Sequence, residues 1–341
     1  MLNVLIVEDS DVSREYIVEL LARDPDILVV GTAGDGLEAV HKVRQLKPDM
    51  ILMDMHMPGM NGIQATRQIM SMMATPIIVM SATTAGEEAQ MAVEATRAGA
   101  VTFINKPRGG VSDDAEGFIE IVKSMAEVKV IHRWVRPEKI RSVVVPERRP
   151  TAVRLIAIGA STGGPPALME VLKGLPANVG IPILLAQHIM PGFAKDLAAW
   201  LNSGTELKIE VAQAGQYMEP GHGYLAPDRL QMTVGTSNRI RLAELPDEGS
   251  ASSIDRMFES VAKTYGPAAI GVLLTGMGRD GAVGLKSLYE AGALTIAQDA
   301  ASSAVFGMPK EAIRLNAAMH VLPLRDIAKV ICESIYPKSE R

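Results

Sequence analysis

The sequence contains a single cysteine, Cys332, among 341 residues. One thiol can form neither an internal disulfide nor a cysteine-based metal cage, which suits a reducing compartment. Aromatic residues make up only 4% of the chain, whereas methionine occurs 20 times. We therefore expect cores packed mainly by aliphatic and thioether side chains.

The sequence also lacks a basic excess, a signal peptide and a long apolar run. Its formal net charge is −5, which gives no electrostatic reason to expect nucleic-acid binding. The N-terminus, MLNVLIVEDS, has neither the basic start nor the length of a signal peptide. No apolar run approaches the roughly 20 residues that span a bilayer. We expect a cytoplasmic protein that does not insert into a membrane.

The length and the apolar pattern predict two α/β domains. A chain of 341 residues is long for one core. In the first part, short apolar runs alternate with amphipathic helical patterns, which is typical of a parallel sheet covered on both faces. The apolar runs are 2–7, 27–33, 50–55, 76–82 and 101–105, and helical patterns include 35–46 and 86–99.

The alternation stops at about residue 122 and resumes at about residue 153. The segment between them, rich in proline and arginine, is predicted to be a linker. Short runs separated by turn residues at 221–242 predict a β-hairpin excursion in the second domain. The predicted organisation is two doubly wound parallel-sheet domains, 1–122 and 153–341, joined by the linker 123–152.

Five polar side chains follow the predicted strands of the first domain: Glu8, Asp9, Asp54, Ser81 and Lys106. The carboxyl ends of parallel strands meet at one edge of a sheet, so these side chains should lie together. Clustered carboxylates suit Mg²⁺, which prefers oxygen ligands. Asp54 could then attack a phosphoryl donor, with Lys106 and Ser81 balancing charge on the transferred group.

The motifs LIVEDS, MDMHMPGMNG, VMSA and FINKP resemble the receiver domain of two-component response regulators. The resemblance implies a flavodoxin-like fold and Mg²⁺-dependent phosphorylation of Asp54 by a partner histidine kinase. It also implies that Ser81 and Phe103 shift when the phosphoryl group arrives. The alternative role for Phe103 is plain core packing.

The glycine-rich stretch LIAIGASTGGPPAL, residues 155–168, has three interpretations. A dinucleotide fingerprint needs G-x-G-x-x-G, and its first glycine pair is absent here. A P-loop needs a lysine before Ser or Thr, and none is present. The G-x-S-x-G pattern fits, and it places Ser161 on a sharp strand-to-helix turn. Pro165 and Pro166 suit the first turn of the following helix.

A serine nucleophile needs a base and an acid that orients the base. Of the six histidines, only His188 closes a long apolar strand in the second domain. Asp280 lies in a glycine-laced loop, TGMGRDG, after another buried strand. Ser161, His188 and Asp280 are thus predicted to share one sheet edge. Their order along the chain differs from that of α/β-hydrolases.

Several blocks of the second domain closely resemble the chemotaxis protein-glutamate methylesterases, which are response regulators with a C-terminal hydrolase domain. The blocks are IGASTGGPPAL, AQHIMPGFAKDLAAWLN, GYLAP, LLTGMGRDGAVGL and SSAVFGMPKEAI. The resemblance implies a triad of Ser161, His188 and Asp280. It further implies that Thr162 supports the histidine and that the Met277 backbone N–H helps to form an oxyanion hole.

The same resemblance implies a reaction and partners. The expected reaction is hydrolysis of glutamate methyl esters, and deamidation of glutamines, on the helical bundle of a chemoreceptor. No cofactor is expected for the esterase, and the phosphodonor is expected to be a chemotaxis histidine kinase. The unphosphorylated receiver is expected to cover the hydrolase cleft.

Two departures and two alternatives accompany this prediction. The hairpin stretch APDRLQM lacks a glycine and a histidine often found there, and Ser252 stands where proline is common. One alternative is a receiver-regulated esterase of a signalling pathway other than chemotaxis. The other is a signalling module whose second domain binds a nucleotide and catalyses nothing. A DNA-binding output is not expected, because no helix-turn-helix pattern is visible.

Overall fold

The computed structural model describes residues 1–81, 94–95, 98–107, 112–126, 152–189, 192–244 and 253–336. The chain divides into two compact units, Met1–Val135 and Arg136–Arg341, and each is described by itself. No helix among these residues is long and apolar enough to cross a membrane.

The first unit is built on a five-stranded sheet in the order β2-β1-β3-β4-β5. All neighbouring strands are parallel, and this order is that of flavodoxin-like folds. The strands are β1 Leu2–Val7, β2 Ile27–Ala33, β3 Met50–Asp54, β4 Ile77–Ser81 and β5 Thr102–Asn105. The described helices are α1 Asp11–Leu21, α2 Gly36–Leu46, α3 Gly62–Met72 and α4 Ser112–Ala126.

Local sequence signals explain where these helices begin. The Ser10 and Asp35 side chains accept backbone N–H groups at the starts of α1 and α2. Asn61 and Gln64 form a reciprocal capping box at the start of α3. Strands β3 and β4 are buried at every position, as expected of strands covered on both faces.

The unit boundaries differ slightly from the predicted ones. Helix α4 continues to Ala126, so a boundary at residue 122 would cut through its last turn. Most of the predicted helix 86–99 and of the linker 123–152 lies outside the described residues. The predicted domain limits therefore stay predictions.

The second unit contains a seven-stranded sheet in the order β14-β13-β12-β6-β7-β9-β8, with every neighbouring pair parallel. Its strands are β6 Leu155–Ala160, β7 Ile183–Gln187, β8 Lys208–Val211, β9 His222–Leu225, β12 Ala269–Leu273, β13 Leu294–Gln298 and β14 His320–Leu322. Its helices are α5 Gly164–Lys173, α6 Ala194–Gly204, α7 Ser253–Tyr265, α8 Ala282–Glu290, α9 Met308–Arg314 and α10 Leu324–Ile335.

The predicted hairpin excursion is present but shorter than predicted. Strands β10 Leu230–Val234 and β11 Ile240–Glu244 form a separate antiparallel pair, whereas β9 belongs to the main sheet. Strand β14 was not predicted, because its three residues are too few for an apolar run. Two doubly wound parallel sheets confirm the predicted fold class.

Both faces of the large sheet are buried. Alternate residues of β6 enter two different clusters: Ile156 and Ile158 pack on one face, and Leu155 and Ala157 on the other. The chain leaves β6 toward β7 on one side and returns through β12 on the other. The strand order therefore reverses between β6 and β12, and in such sheets ligands bind at this point, beyond the carboxyl ends of the strands.

Candidate active site

Ser161 lies immediately after β6, next to the point where the strand order reverses. The turn needs its glycines for space. Gly163 has a positive φ of 74°, and a Cβ on Gly164 would lie 1.9 Å from Gln187 Oε1. Side chains at these positions would push the serine loop away from the neighbouring strand.

The backbone N–H groups of this turn argue against a phosphate-binding loop. The Ser161 N–H donates to the Thr275 carbonyl at 3.0 Å, and the Gly164 N–H donates to the Ser161 carbonyl at 2.8 Å. Pro165 and Pro166 follow in the first turn of α5 and have no N–H to offer. Four of the backbone positions from Ser161 to Pro166 therefore offer no free N–H to an anion, which makes this turn a poor phosphate cradle.

His188 connects the serine to a carboxylate. Its Nδ1 lies 3.2 Å from Ser161 Oγ, and its Nε2 lies 2.7 Å from Asp280 Oδ2. A neutral imidazole in this position carries its proton on Nε2, facing the carboxylate, and presents the Nδ1 lone pair to the hydroxyl. This arrangement can remove the proton from Ser161. The three predicted residues are therefore brought together by loops after β6, β7 and β12.

Asp280 is held by the start of a neighbouring helix. Its Oδ2 accepts the Ile254 N–H at 3.1 Å, and its Oδ1 accepts the Asp255 N–H at 2.9 Å. Both donors belong to the first turn of α7. The carboxylate is 7% exposed, so its orientation is fixed by these two backbone groups and by His188.

Sequence reasoning missed a buried glutamine that joins two of these loops. Gln187 Nε2 donates to the carbonyls of Ser161, at 2.7 Å, and His188, at 2.8 Å. The side chain is 8% exposed. A polar residue closing the apolar run of β7, directly before the histidine, was the available signal.

Thr275 anchors the serine loop from the other side. Its Oγ1 donates to the Thr162 carbonyl at 2.9 Å and accepts the Val305 N–H at 2.8 Å. Its own N–H donates to Gln298 Oε1, a fully buried side chain on β13. The side chain of Thr275 therefore ties the loops after β6 and β12 to the segment before α9.

The two predicted supporting residues lie next to the serine. A Cβ on Gly276 would lie 2.7 Å from Ser161 Cβ, so the residue before Met277 is close to the nucleophile. Across the part of the chain that the structure describes, no acceptor lies within hydrogen-bond reach of the Met277 N–H. Thr162 contributes its carbonyl to Thr275. Support of His188 by the Thr162 side chain stays a prediction.

The predicted acidic cluster of the first unit is also assembled. One carboxylate oxygen from each of Glu8, Asp9 and Asp54 lies within 4.8 Å of the others. Lys106 Nζ lies 2.8 Å from Glu8 Oε2 and 3.0 Å from Asp54 Oδ2. Glu8 Oε2 is buried and accepts no aligned hydrogen bond. Three carboxylates that bring hard oxygen donors this close together fit a magnesium ion.

Burial shifts the pKa values of this cluster. It raises the pKa of both Glu8 and Asp54 above the ordinary values for carboxyl groups, and repulsion from neighbouring carboxylates adds to the effect. For Lys106, burial by itself would lower the pKa, but its hydrogen bonds to Glu8 and Asp54 outweigh burial and raise it. The cluster therefore holds excess negative charge that a cation would relieve.

The other predicted receiver residues occupy the adjoining strands. Ser81 is fully buried at the end of β4, and its carbonyl accepts the Lys106 N–H at 2.8 Å. Phe103 is 8% exposed on β5 and pairs with Val79 of β4. The switching role of both residues stays a prediction.

Known proteins share both units. A family model described as the CheB methylesterase matches residues 156–331, and one described as the response regulator receiver domain matches residues 4–111. A protein of Nitrosospira multiformis, named protein-glutamate methylesterase/protein-glutamine glutaminase, is 44% identical over 100% of this chain and 99% of its own length. The chain belongs to the CheB methylesterase family.

Two further relatives of this CheB methylesterase chain are informative. Protein-glutamate methylesterase/protein-glutamine glutaminase 4 of Geobacter metallireducens is 45% identical over 95% of this chain and 96% of that protein. The crystal structure of the Thermotoga maritima CheB methylesterase catalytic domain matches with a TM-score of 0.50 and 33% identity. It covers 54% of this chain and 99% of that domain.

Membership of the CheB methylesterase family confirms several predictions. The chain is a receiver-containing carboxylic ester hydrolase, and the alternatives of another pathway or a nucleotide-binding module are not favoured. A receiver domain implies a phosphodonor kinase, and a methylesterase implies a methylated substrate. The roles of individual residues are not settled by these similarities.

Proposed function

We propose that the second unit hydrolyses γ-glutamyl methyl esters on the helical bundle of a chemoreceptor, with Ser161 as the nucleophile. The observation that carries the proposal is one chain of contacts. Asp280 lies 2.7 Å from His188 Nε2, and Ser161 Oγ lies 3.2 Å from His188 Nδ1. A hydroxyl, an imidazole and a buried carboxylate in this order form the machinery of a serine hydrolase.

The first half of the reaction forms an acyl-enzyme. His188 Nδ1 takes the proton of Ser161 as Oγ attacks the ester carbonyl carbon. Asp280 keeps the imidazole in the Nε2–H tautomer and stabilises the imidazolium that forms. The tetrahedral oxyanion collapses, and the imidazolium gives its proton to the departing methoxide, which leaves as methanol.

The oxyanion is held by the loop after β12. The Ser161 N–H is already bonded to the Thr275 carbonyl and is not free to donate to the oxyanion. The N–H of Met277 follows Gly276, which lies close to Ser161, and it is the donor we assign, a contact worth about 3 kcal/mol in the transition state. Water activated by His188 then releases glutamate. Glutamine side chains pass through the same kind of oxyanion, so deamidation can use the same groups.

The first unit would accept a phosphoryl group on Asp54 from a chemotaxis histidine kinase. The carboxylates of Glu8, Asp9 and Asp54 would hold Mg²⁺, which, when bound, neutralises charge on the phosphoryl oxygens. Lys106 contacts two of these carboxylates and would balance the added charge. Ser81 and Phe103 would shift in response, and the esterase would change from an inhibited to an active state.

The test is methanol release from a methylated receptor bundle by the full chain, with and without a small phosphodonor and Mg²⁺. We expect the phosphodonor to stimulate the wild type, to leave Asp54→Asn at its basal rate, and to give no activity with Ser161→Ala. A Ser161→Ala variant that folds and still releases methanol would remove Ser161 from the mechanism. An active enzyme that attacks small esters but not the receptor would overturn the substrate assignment.

A further inference from the structure

The N-termini of helices α7 and α8 are capped reciprocally, each by an aspartate that belongs to the other helix or to the loop before it. Asp280, just before α8, accepts two N–H groups from the first turn of α7. Asp255, in that first turn of α7, accepts the Gly284 N–H in the first turn of α8 at 2.6 Å. Each helix therefore supplies the side chain that satisfies the other helix's free donors. One of the two aspartates is the carboxylate behind His188.

The starts of the two helices are packed closely against each other. A Cβ on Gly284 would lie 2.6 Å from the Asp255 carbonyl oxygen, so only glycine fits there. A Cβ on Gly281 would lie 2.7 Å from Ile254 Cγ2. The position of Asp255 therefore determines where the loop before α8 sits, including the residues assigned to the oxyanion and to His188.

Asp255 also sits in an unusual electrostatic position. Its pKa is raised from 3.8 to about 6, chiefly by burial. Repulsion from Asp280 and Glu259 adds to the rise, and the N–H groups of Gly284 and Gly281 oppose it. Asp280 comes from the loop before α8 and Glu259 from α7 itself. A second carboxylate thus lies near enough to repel the one that faces His188, in a place where an uncharged amide would serve as well for capping alone.

We propose that Asp255 is a positioning residue of the hydrolase: it fixes the loop that carries Asp280 and Met277 and adds a second negative charge behind His188. The inference rests on the proposed role of Ser161, His188 and Asp280. The added charge favours the protonated imidazole that forms in the transition state. Asp255 touches neither the substrate nor the reacting atoms.

Two substitutions separate the two effects. Asp255→Asn keeps an oxygen acceptor for the Gly284 N–H and removes the charge, whereas Asp255→Ala removes both. The matched control is Asp326→Asn, which changes the first-turn aspartate of α10 in the same unit. The readout is the rate at which a fluorophosphonate probe labels Ser161 in the full chain, measured from about pH 5 to about pH 9.

We expect Asp255→Ala to label about 10-fold more slowly than the wild type. We expect Asp255→Asn to stay within about 3-fold at high pH while its acidic limb moves by about half a unit to lower pH. A purely structural cap would leave that limb unmoved in Asp255→Asn, and this result would overturn the proposal. The asparagine variant decides the question even if the alanine variant fails to fold.

The two proposals fail in different ways. If the wild type does not label, or Ser161→Ala labels equally, the proposed function fails and this inference fails with it. If Ser161 labels normally but neither Asp255 variant differs from Asp326→Asn, only the role of Asp255 is wrong.

Discussion

The carbonyl oxygen of Thr275 accepts the backbone N–H of Ser161 at 3.0 Å, so the nucleophile is tied to the neighbouring strand through its own amide. The Thr275 side chain extends this link, because its hydroxyl binds the Thr162 carbonyl and the Val305 N–H. The serine turn therefore depends on a residue that takes no part in the chemistry.

Thr275→Val should reduce both stability and activity. Valine keeps the shape of the side chain but leaves the partly buried Thr162 carbonyl and Val305 N–H without their partner, at a cost of about 2 kcal/mol. The freed serine turn should lower kcat by about 10-fold. Urea unfolding and ester hydrolysis measure the two effects. Thr295→Val is the control, since this buried hydroxyl on β13 accepts the Met319 N–H and touches no triad residue. Equal kcat losses in both variants would contradict the prediction.

Gln187→Met should slow the reaction, and it should lower stability less than Thr275→Val does. In the wild type, the Gln187 amide donates to both the Ser161 and the His188 carbonyls. Methionine fills a similar volume but cannot donate to either of them. We expect kcat to fall about 10-fold because the two loops lose their common tether. The control is Gln216→Met, whose amide donates to Glu210 at 2.8 Å elsewhere in the unit. An unchanged kcat in Gln187→Met would show that the tether is dispensable.

The sequence predicted the residues that follow strands but not those that hold them in place. Ser161 and His188 stand where an apolar run stops, and Asp280 lies in the loop after another such run, so the topology of a parallel sheet was enough to bring them together. Thr275 and Gln187 end such runs too, but their roles depend on which carbonyl lies opposite. Pairing across a sheet involves residues far apart in the chain, which periodicity does not report.

The apolar runs also predicted most of the fold, but not its short edge strand or its contacts between helix starts. Continuous apolar runs identified the buried strands because strands covered on both faces carry no polar alternation. Strand β14 was not predicted, because it has just three residues and pairs only with β13 at the end of the strand order. The sequence also did not predict that Asp255 and Asp280 each cap the other's helix, because an aspartate at a helix start is normally taken to cap its own helix.

Gly276→Ala should damage catalysis more than folding. An added Cβ would lie 2.7 Å from Ser161 Cβ and 2.2 Å from Met308 Sδ, so the serine turn must move. A displacement of about 1 Å at the nucleophile should lower kcat about 100-fold. Gly271→Ala in β12 is the matched control, because its Cβ would meet the flexible end of Leu288 at 2.6 Å. We expect Gly271→Ala to lower stability and spare kcat, and the reverse pattern would refute the prediction.

Asp54→Asn should stabilise the receiver unit at neutral pH. Folding raises the pKa of Glu8 and Asp54, so the folded state binds their protons more tightly than the unfolded state does. Their stabilising contribution is therefore full at low pH and is lost as the pH rises through the raised values. Removing one carboxylate should raise the melting temperature at pH about 7, and the gain should fade toward pH about 4.

Mg²⁺ should stabilise the receiver unit by neutralising the carboxylates of Glu8, Asp9 and Asp54. Mg²⁺ should raise the melting temperature of the wild-type receiver transition relative to EDTA, because it binds the folded cluster of carboxylates. Asp54→Asn has one ligand fewer, so its melting temperature should respond less. Asp49→Asn is the control, since the Asp49 carboxylate accepts the Asn3 N–H and lies outside the cluster. Calorimetry of the full chain measures all three proteins. A wild type whose melting temperature does not respond to Mg²⁺ would contradict this prediction. An Asp54→Asn variant that melts at a lower temperature than the wild type at neutral pH would contradict the preceding one.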